Sequence, residues 1–449
     1  MSLSPLTFKI ALYEEHLEEI AFLWSQDCAL RADPNRAWTD PAPFEERLEA
    51  HLDALVVGGA LALQVCQERI AEAEPDEMFG IAALLCRAGA SAPLNELLHG
   101  PVLGVDEAML GAVTLALVAE WPAAWQEAGV RGLGRGDARL SPIFAAVAAS
   151  RGWATGGQLS TALRRGDALQ RAALLSAVGY CDEPQALALV QDLYGDADPS
   201  VRAAAVRAGA RLHDSLAYTL ASNMPDCPEL QALAGTRTAA PALLERLRGA
   251  ETDRAVVLAL GLLGDLSCVR ALTNLLAVEP VADAAAWSLH LITGASLKEQ
   301  ALVPEPVLED ELSDAELNRW RKTGEGPRRL DGQPFGERID RLSRDPAVWG
   351  QWLVDNGARF RAGQRYRMGQ PCTPERMLQG LADRQAPVLG RQWLCEELQV
   401  RHGLILRIQS GATVLAQQGA LRQAAPQARL LTEQTLEGRW YLGNQEFPS

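Results

Sequence analysis

The stretch GDADPSVRAAAVRAGA, residues 195–210, decides the fold. Its acidic turn leads to Pro199, which suits the first position of a helix, where the backbone N–H that proline lacks would have no partner in any case. The following helix carries small and aliphatic side chains at helical spacing on one face: Val201, Ala204, Ala205, Ala208 and Leu212. Alanines let a second helix approach closely, and a single hairpin cannot bury such a face alone. The stretch therefore predicts helical hairpins that stack on one another.

Similar segments recur along the middle of the chain, and a glycine marks the end of the second helix in each. These glycines are spaced by 26 to 30 residues: Gly152, Gly179, Gly209, Gly235, Gly264 and Gly294. A period near thirty is typical of stacked supersecondary units. We expect each glycine to adopt the left-handed conformation that ends a helix. The pattern predicts an all-α chain, a superhelix (solenoid) of helical hairpins.

The composition of the 449-residue chain favours helices as well. Hydrophobic residues make up 48% and aromatic residues only 6%, so the core must consist of small and medium aliphatic side chains. The net charge of −15 disfavours a nucleic-acid partner. The charge is uneven, because residues 319–407 hold seventeen Arg and Lys against ten Asp and Glu. We expect the basic and acidic regions to prefer different partners.

The sequence predicts a cytoplasmic protein without a membrane span. Residues 1–12 show no secretory signal. The most apolar stretch, 54–65, is interrupted by Gly58 and Gly59 and is shorter than the roughly 20 residues that a span requires. The eight cysteines stand singly, as expected of buried thiols in a reducing compartment.

The chain divides into four predicted regions: a helical N-terminal cap at 1–80, the repeats at 81–297, an irregular linker or insertion at 298–345, and a C-terminal helical, repeat-like region at 346–449. The linker is assigned because its Pro, Gly and acidic residues break the repeat pattern. In the last region, start signals predict helices over Pro346–Asn356, Pro374–Ala382 and 387–400.

The repeat at 195–210 resembles the HEAT-like repeats, in the short form found in phycobilisome-lyase-type proteins. Three further segments resemble a proteobacterial HEAT-like family that is associated with type VI secretion gene clusters: EEHLEEIAFLW at 14–24, RLEAHLDALVVGG at 47–59 and RYRMGQPCTPERML at 365–378. The resemblance implies a HEAT-like solenoid in a bacterial protein that works near secretion components. It implies no particular catalytic activity.

Candidate catalytic groups are few. His16 and Glu19 on the first helix and His51 on the second could form a metal or acid–base cluster. A buried histidine bonded to a neighbouring carboxylate is the alternative explanation. The chain contains no HExxH, phosphate-binding GxxxxGK[ST] or GxSxG motif. We therefore expect no catalytic residue, no cofactor and no metal site, with these three residues as weak metal candidates.

Eight residues are predicted to bind a partner: Arg207, Arg254, Trp287, His290, Arg361, Arg365, Tyr366 and Arg367. The run at 361–367 mixes guanidinium groups with an aromatic ring, which suits an acidic surface. A solvated loop with Tyr366 packed inward is the alternative. Trp287 and His290 would line the concave face of the solenoid, or else belong to its core.

The expected function is that of a non-enzymatic HEAT-like scaffold that binds another protein along its concave face. Repeat surfaces give extended binding area without a catalytic pocket. The scaffold would be an adaptor, chaperone or regulator of a type VI secretion-related component. Two alternatives stay open: an immunity protein that neutralises a co-encoded toxin, and an enzyme, a lyase or hydrolase, built on the same scaffold.

Overall fold

A computed structural model gives the fold and describes residues 4–34, 36–104, 106–135, 137, 139–248, 253–304, 307–324, 326–408 and 411–447. In these residues the chain is predominantly helical, as predicted, with twenty-two α-helices and three two-stranded antiparallel ribbons. The helices are α1 Pro5–Ala32, α2 Ala42–Arg69, α3 Pro75–Arg87, α4 Ser91–His99, α5 Glu107–Glu120, α6 Gln126–Gly134, α7 Leu140–Arg151, α8 Gln158–Arg165, α9 Ala168–Leu175, α10 Ala186–Asp192, α11 Pro199–Arg211, α12 Ser215–Ala221, α13 Pro228–Ala234, α14 Ala239–Arg246, α15 Arg254–Leu263, α16 Val269–Leu275, α17 Ala282–Thr293, α18 Asp314–Thr323, α19 Pro346–Asn356, α20 Pro374–Ala382, α21 Arg391–His402 and α22 Val414–Glu433. The strands are β1 Lys298–Pro304, β2 Gly336–Leu342, β3 Tyr366–Arg367, β4 Gln370–Pro371, β5 Trp440–Leu442 and β6 Gln445–Phe447.

The chain begins with a long hairpin of α1 and α2. The hydroxyl of Ser4 accepts a hydrogen bond from the backbone N–H of Thr7 at 3.1 Å and so caps α1. In α2 the backbone leaves helical geometry at Gly59, with φ 60° and ψ −136°. By length and composition α2 is apolar enough to cross a membrane, and it also buries Leu52 and Leu55 inside the protein. These two helices therefore supply one end of the apolar core.

Alternate helices pack on one another between α3 and α17. Helix α3 contacts α5, α5 contacts α7, α7 contacts α9 and α9 contacts α11; further along, α13 contacts α15 and α15 contacts α17. The shorter helices between them pack mainly on their sequence neighbours. One apolar cluster runs from Leu17 to Ala208 and a second from Ala232 to Trp440. Each helix of the row thus buries its apolar face against the next.

The stretch that predicts the fold forms α11. A carboxylate oxygen of Asp198 accepts hydrogen bonds from the N–H groups of Ser200 at 2.8 Å and Val201 at 3.3 Å, and Pro199 opens the helix. Val201, Ala205 and Ala208 have no exposed surface. The predicted apolar face is confirmed at these three residues, whereas Ala204 and Leu212 are only partly buried.

Three of the six aligned glycines end their helices in the left-handed conformation, Gly152, Gly264 and Gly294. Gly179 is also left-handed, with φ 89°, but it lies in the turn beyond α9, which ends at Leu175. The prediction is wrong at the other two. Gly209 lies inside α11, where a Cβ would collide with the hydroxyl of Tyr194, and the left-handed residue after that helix is His213, with φ 61°. Gly235 is extended, with φ −88°, and a Cβ there would collide with the carbonyl oxygen of Gln231. At these two positions glycine is needed because a larger side chain would not fit, and not because the backbone is left-handed.

An antiparallel ribbon occupies part of 298–345, the stretch predicted as irregular. Strand β1 pairs with β2 from Lys298 opposite Leu342 onward, and α18 lies in the connection. Across the ribbon, Glu299 binds Arg341 at 2.9 Å. Cross-strand pairs of this kind stabilise a ribbon, but their partners lie too far apart in sequence for a local pattern to predict them.

The C-terminal region packs back onto the row of helices. Helices α19 and α20 have the predicted bounds, and the hydroxyl of Thr373 caps α20. Helix α21 begins at Arg391, four residues later than predicted. Strand β3 contacts α17, α21 contacts α11 and α13, and α22 contacts α2. The region therefore covers helix ends from several hairpins.

We predict that Gly264→Ala destabilises the protein. Gly264 has φ 77°, and a Cβ there would lie 2.6 Å from the backbone oxygen of Tyr366. The left-handed strain and the collision together should lower the free energy of unfolding by about 2 kcal/mol or more, measured by urea denaturation.

The matched control is Gly111→Ala in the interior of α5, where nothing lies within 4 Å of the added Cβ. That substitution should stabilise the protein by up to about 1 kcal/mol, because alanine favours helices. Similar changes in the two variants would contradict the role given to Gly264.

Candidate functional site

Arginines of the C-terminal region bind the carbonyl end of α15. Arg365 donates through Nε to the carbonyl of Leu263 at 2.9 Å, and Arg367 donates through Nη1 to that of Gly261 at 2.9 Å. The last carbonyls of a helix have no partner within it and carry partial negative charge. Guanidinium groups supply both the missing donors and the opposite charge.

The same arrangement recurs at neighbouring helix ends. Arg401 donates through Nη2 to the carbonyls of Ala232 at 2.7 Å and Gly235 at 2.9 Å, at the end of α13. Gln399 donates to the carbonyl of Gly179 at 2.9 Å, just after α9. We call the hydrogen bonds from residues 365–401 to these carbonyls the helix-end contacts. They fix β3 and α21 to the row of helices.

A single carboxylate lies among the three arginines. Glu397 is paired with Arg365, with Arg367 at 2.7 Å and with Arg401 at 3.5 Å. Burial lowers the pKa of Arg367 and of Arg401 to about 10, so both stay charged at pH 7. The positive charge that Glu397 leaves unbalanced faces the helix carbonyls.

The helix-end contacts place most of the predicted basic surface inside the protein. Arg365 and Tyr366 are 1% exposed and Arg367 is 3% exposed. Of the four predicted residues in this run, Arg361 alone has an exposed side chain, and its N–H donates to the hydroxyl of Tyr366 at 2.7 Å. The buried three therefore act as internal structure. The run of arginines does not reveal this, because Glu397 lies thirty residues further along the chain.

Trp287 and His290 line a cleft of about 340 Å³ between α17, the β1–β2 ribbon and residues 383–389, here called the Trp287 cleft. Nδ1 of His290 lies 3.0 Å from the carbonyl oxygen of Ala295. Because a carbonyl only accepts, Nδ1 carries the proton and Nε2 is left as an acceptor. Burial lowers the pKa of His290, which keeps the ring neutral at pH 7. The cleft thus combines an indole ring with a neutral acceptor.

The remaining predicted binding residues, Arg207 and Arg254, join neighbouring hairpins. Arg207 binds Glu229 at 2.7 Å, and Arg254 binds Asp283 at 2.6 Å. Partly exposed pairs of this kind contribute at most about 1 kcal/mol each. Asp283 lines the Trp287 cleft, so the structure brings Arg254 to the edge of the cleft.

The two histidines predicted to cluster do meet between α1 and α2. Nδ1 of His16 lies 2.9 Å from Nδ1 of His51, whereas Glu19 pairs with Arg47 at 3.6 Å. Burial, and then the neighbouring His16, lowers the pKa of His51. Within the described residues, no group of three or more His, Cys, Asp or Glu side chains is placed to hold a metal ion. The pair is therefore one hydrogen bond between two rings rather than a metal site with Glu19.

A groove of about 660 Å³ lies where α2, α5 and α7 meet the start of α22, and we call it the N-terminal groove. The carboxylate of Glu45 accepts a hydrogen bond from the N–H of Val414 at 2.8 Å, which holds α22 to α2. Arg384 and Arg407 line the groove with exposed side chains. Neither arginine forms an ion pair with another described residue. Sequence analysis did not identify this site, because its walls come from distant segments.

We predict that Arg401→Met is strongly destabilising. The change removes the N–H donors to the carbonyls of Ala232 and Gly235, and each buried carbonyl left without a partner costs about 1–3 kcal/mol. Urea denaturation measures the difference. Arg429→Met, at an arginine whose side chain is 72% exposed, is the matched control and should change stability by less than about 1 kcal/mol. A loss no larger in Arg401→Met than in the control would contradict the helix-end contacts.

A second prediction concerns acid. Burial, followed by repulsion from Arg365 and Arg401, lowers the pKa of His402 to about 3. The unfolded chain, with a histidine pKa near 6.5, binds this proton more readily, so stability is lost as the pH falls below 6.5. At pH 5 the loss from His402 should be roughly 2 kcal/mol.

Urea denaturation at pH 7 and pH 5 tests this. The drop in unfolding free energy should be about 2 kcal/mol smaller in His402→Phe than in the wild type, while His99→Phe, at an exposed histidine, should keep the wild-type drop. Identical pH dependence in the wild type and His402→Phe would contradict the assignment.

Among the open sites of the described residues, the Trp287 cleft and the N-terminal groove hold predicted binding residues or unpaired arginines. Comparison of the chain with protein-family models, with curated proteins and with solved structures found no match. The chemistry of these two sites is therefore the basis for assigning a function.

Proposed function

We propose that the chain is a HEAT-like solenoid of helical hairpins. The packing of alternate helices from α3 to α11 and from α13 to α17 supports this arrangement, as does the burial of their apolar faces in two clusters. Left-handed glycines at four of the six aligned positions fit the period that stacked hairpins require. The resemblance at 195–210 points the same way.

The proposed activity of this solenoid is to bind another protein without catalysing a reaction. The partner is a component or effector of a type VI secretion system in the bacterial cytoplasm, and the chain is its adaptor, chaperone or regulator. This identity of the partner rests on the resemblance of residues 14–24, 47–59 and 365–378. The binding role itself rests on the N-terminal groove.

The observation that carries the binding role is the charge inside the N-terminal groove. Two acidic side chains of its wall form ion pairs with Arg87: Nη2 of Arg87 lies 2.7 Å from Oε2 of Glu49 and 2.6 Å from Oε1 of Glu120. Arg384 and Arg407 have no ion-pair partner in the described part of the chain. The groove therefore presents two arginines without an ion pair, against one exposed carboxylate, Glu46, that also has none within the described residues.

An apolar contact lies beside these charges. Leu415, on the first turn of α22, is 71% exposed and lines the groove. A groove with cations and an exposed leucine fits a partner segment that carries acidic and apolar side chains. Arg384 and Arg407 would bind the carboxylates, and Leu415 would pack against the apolar residue.

Co-purification tests the proposal. The tagged full-length chain should retain a secretion component or effector from a bacterium with an active type VI system. The double variant Arg384→Glu/Arg407→Glu should reduce the retained amount at least tenfold, because it reverses the charge of the groove. Higher salt should also reduce the amount of partner that the wild-type chain retains, because salt screens the attraction between charges.

Arg248→Glu is the matched control, since the Arg248 side chain is 76% exposed and does not line the groove. It should bind as the wild type does. Capture of no secretion protein, or equal capture by the double variant, would contradict the proposal. Co-expression with a captured toxin separates the two binding roles, because an immunity protein restores growth and a delivery adaptor does not.

A further inference from the structure

A small cavity of about 30 Å³ adjoins the Trp287 cleft. The two spaces share five lining residues: Trp287, His290, Met368, Pro387 and Leu389. Most of the cavity wall is apolar, but Arg367, Arg391 and Glu397 also line it. These three charged residues are 3%, 7% and 0% exposed. A cleft open to solvent therefore leads to buried charges.

Arg367 and Glu397 form only one of the two hydrogen bonds that their side chains could make with each other. Nη2 of Arg367 lies 2.7 Å from Oε1 of Glu397. Nε of Arg367 and Oε2 of Glu397 are buried and have no hydrogen-bond partner within the described residues. A guanidinium–carboxylate pair with two parallel hydrogen bonds would occupy both atoms. Two residues that line the cavity thus keep one donor and one acceptor without a partner.

Arg391 adds a second donor that is held in place. Its Nε donates to Gln417 at 2.9 Å, its Nη1 donates to the carbonyl of Leu381 at 2.6 Å, and the guanidinium lies 3.9 Å from the ring centre of Trp38. Its Nη2 is buried and has no partner in the described part of the chain. An unpaired buried polar group costs about 1–3 kcal/mol, so three of them around one cavity point to a polar occupant.

We propose that the cavity and the Trp287 cleft together bind a small molecule with a primary carboxamide head and an apolar body. The carboxamide oxygen accepts from Arg367 Nε and Arg391 Nη2, and the carboxamide N–H donates to Glu397 Oε2. The body lies in the Trp287 cleft. This site goes beyond the protein-binding role and is independent of it, because the N-terminal groove has other walls.

Size and charge favour this head group. A volume of 30 Å³ has room for about two water-sized groups, which matches the oxygen and nitrogen of one carboxamide. A carboxylate head would place a negatively charged oxygen beside Oε2 of Glu397 with no donor between them, and a ketone, which has no N–H, would leave Oε2 of Glu397 unpaired. The cleft, at about 340 Å³, is large enough for a body of several carbon atoms.

Calorimetric titration of the full-length protein with hexanamide tests the site. Hexanoate and 2-heptanone are the matched probes, because the first adds a charge and the second has no donor. Hexanamide should bind at least tenfold more tightly than either. Absence of hexanamide binding, or equal affinity for all three probes, would overturn the proposal and leave water as the occupant.

Two variants locate the binding. Leu389→Trp fills the passage between cleft and cavity and should abolish hexanamide binding. Leu430→Trp, the same change at a 59% exposed position of α22, should preserve it. Arg391→Met should weaken binding at least tenfold, with circular dichroism and Tm confirming that it folds. If Arg391→Met does not fold, the Leu389→Trp variant decides the question, and wild-type affinity in that variant would overturn the proposal.

Discussion

The fold depends on how the carbonyl ends of the packed helices are satisfied. Each helix leaves its last carbonyls without an internal partner, and a row of such ends concentrates partial negative charge. Arg365, Arg367 and Arg401 supply the donors from inside the protein. Arginine suits this role because its planar group offers several donors in fixed directions and keeps its charge. Since all three come from the C-terminal region, that region is a structural part of the core of packed helices.

Because these arginines bind helix carbonyls, part of the positive charge of the C-terminal region lies inside the protein. Residues 319–407 are basic in sequence, but three of their arginines are buried against carbonyls and Glu397. Their charge holds the structure together and is not offered to a partner. The cations that face solvent without an ion pair in the N-terminal groove are Arg384 and Arg407. The exposed positive charge of this groove therefore comes from these two residues rather than from the basic run itself.

Helix bounds could be predicted from residues close to each helix end. Contacts between residues that are far apart in the sequence could not be predicted in this way. The bounds of α19 and α20 follow from caps and prolines that lie within a few residues of each helix start. The β1–β2 ribbon was missed because its strands pair across α18. The burial of Arg365 was missed because Leu263 lies 102 residues away. Trp287 and His290 were correctly singled out as aromatic and titratable groups on one helix, but the other walls of their cleft come from distant segments.

Native-state hydrogen exchange tests the helix-end contacts most directly. The N–H of Tyr366 donates to the carbonyl of Gly264 at 2.9 Å, and the N–H of Met368 donates to that of Leu291 at 2.7 Å. If the C-terminal region is part of the core of packed helices, these two amides exchange as slowly as those of α15, because their hydrogen bonds break only with global unfolding. Exchange of both amides at the rate of an exposed loop, while α15 stays protected, would contradict the account.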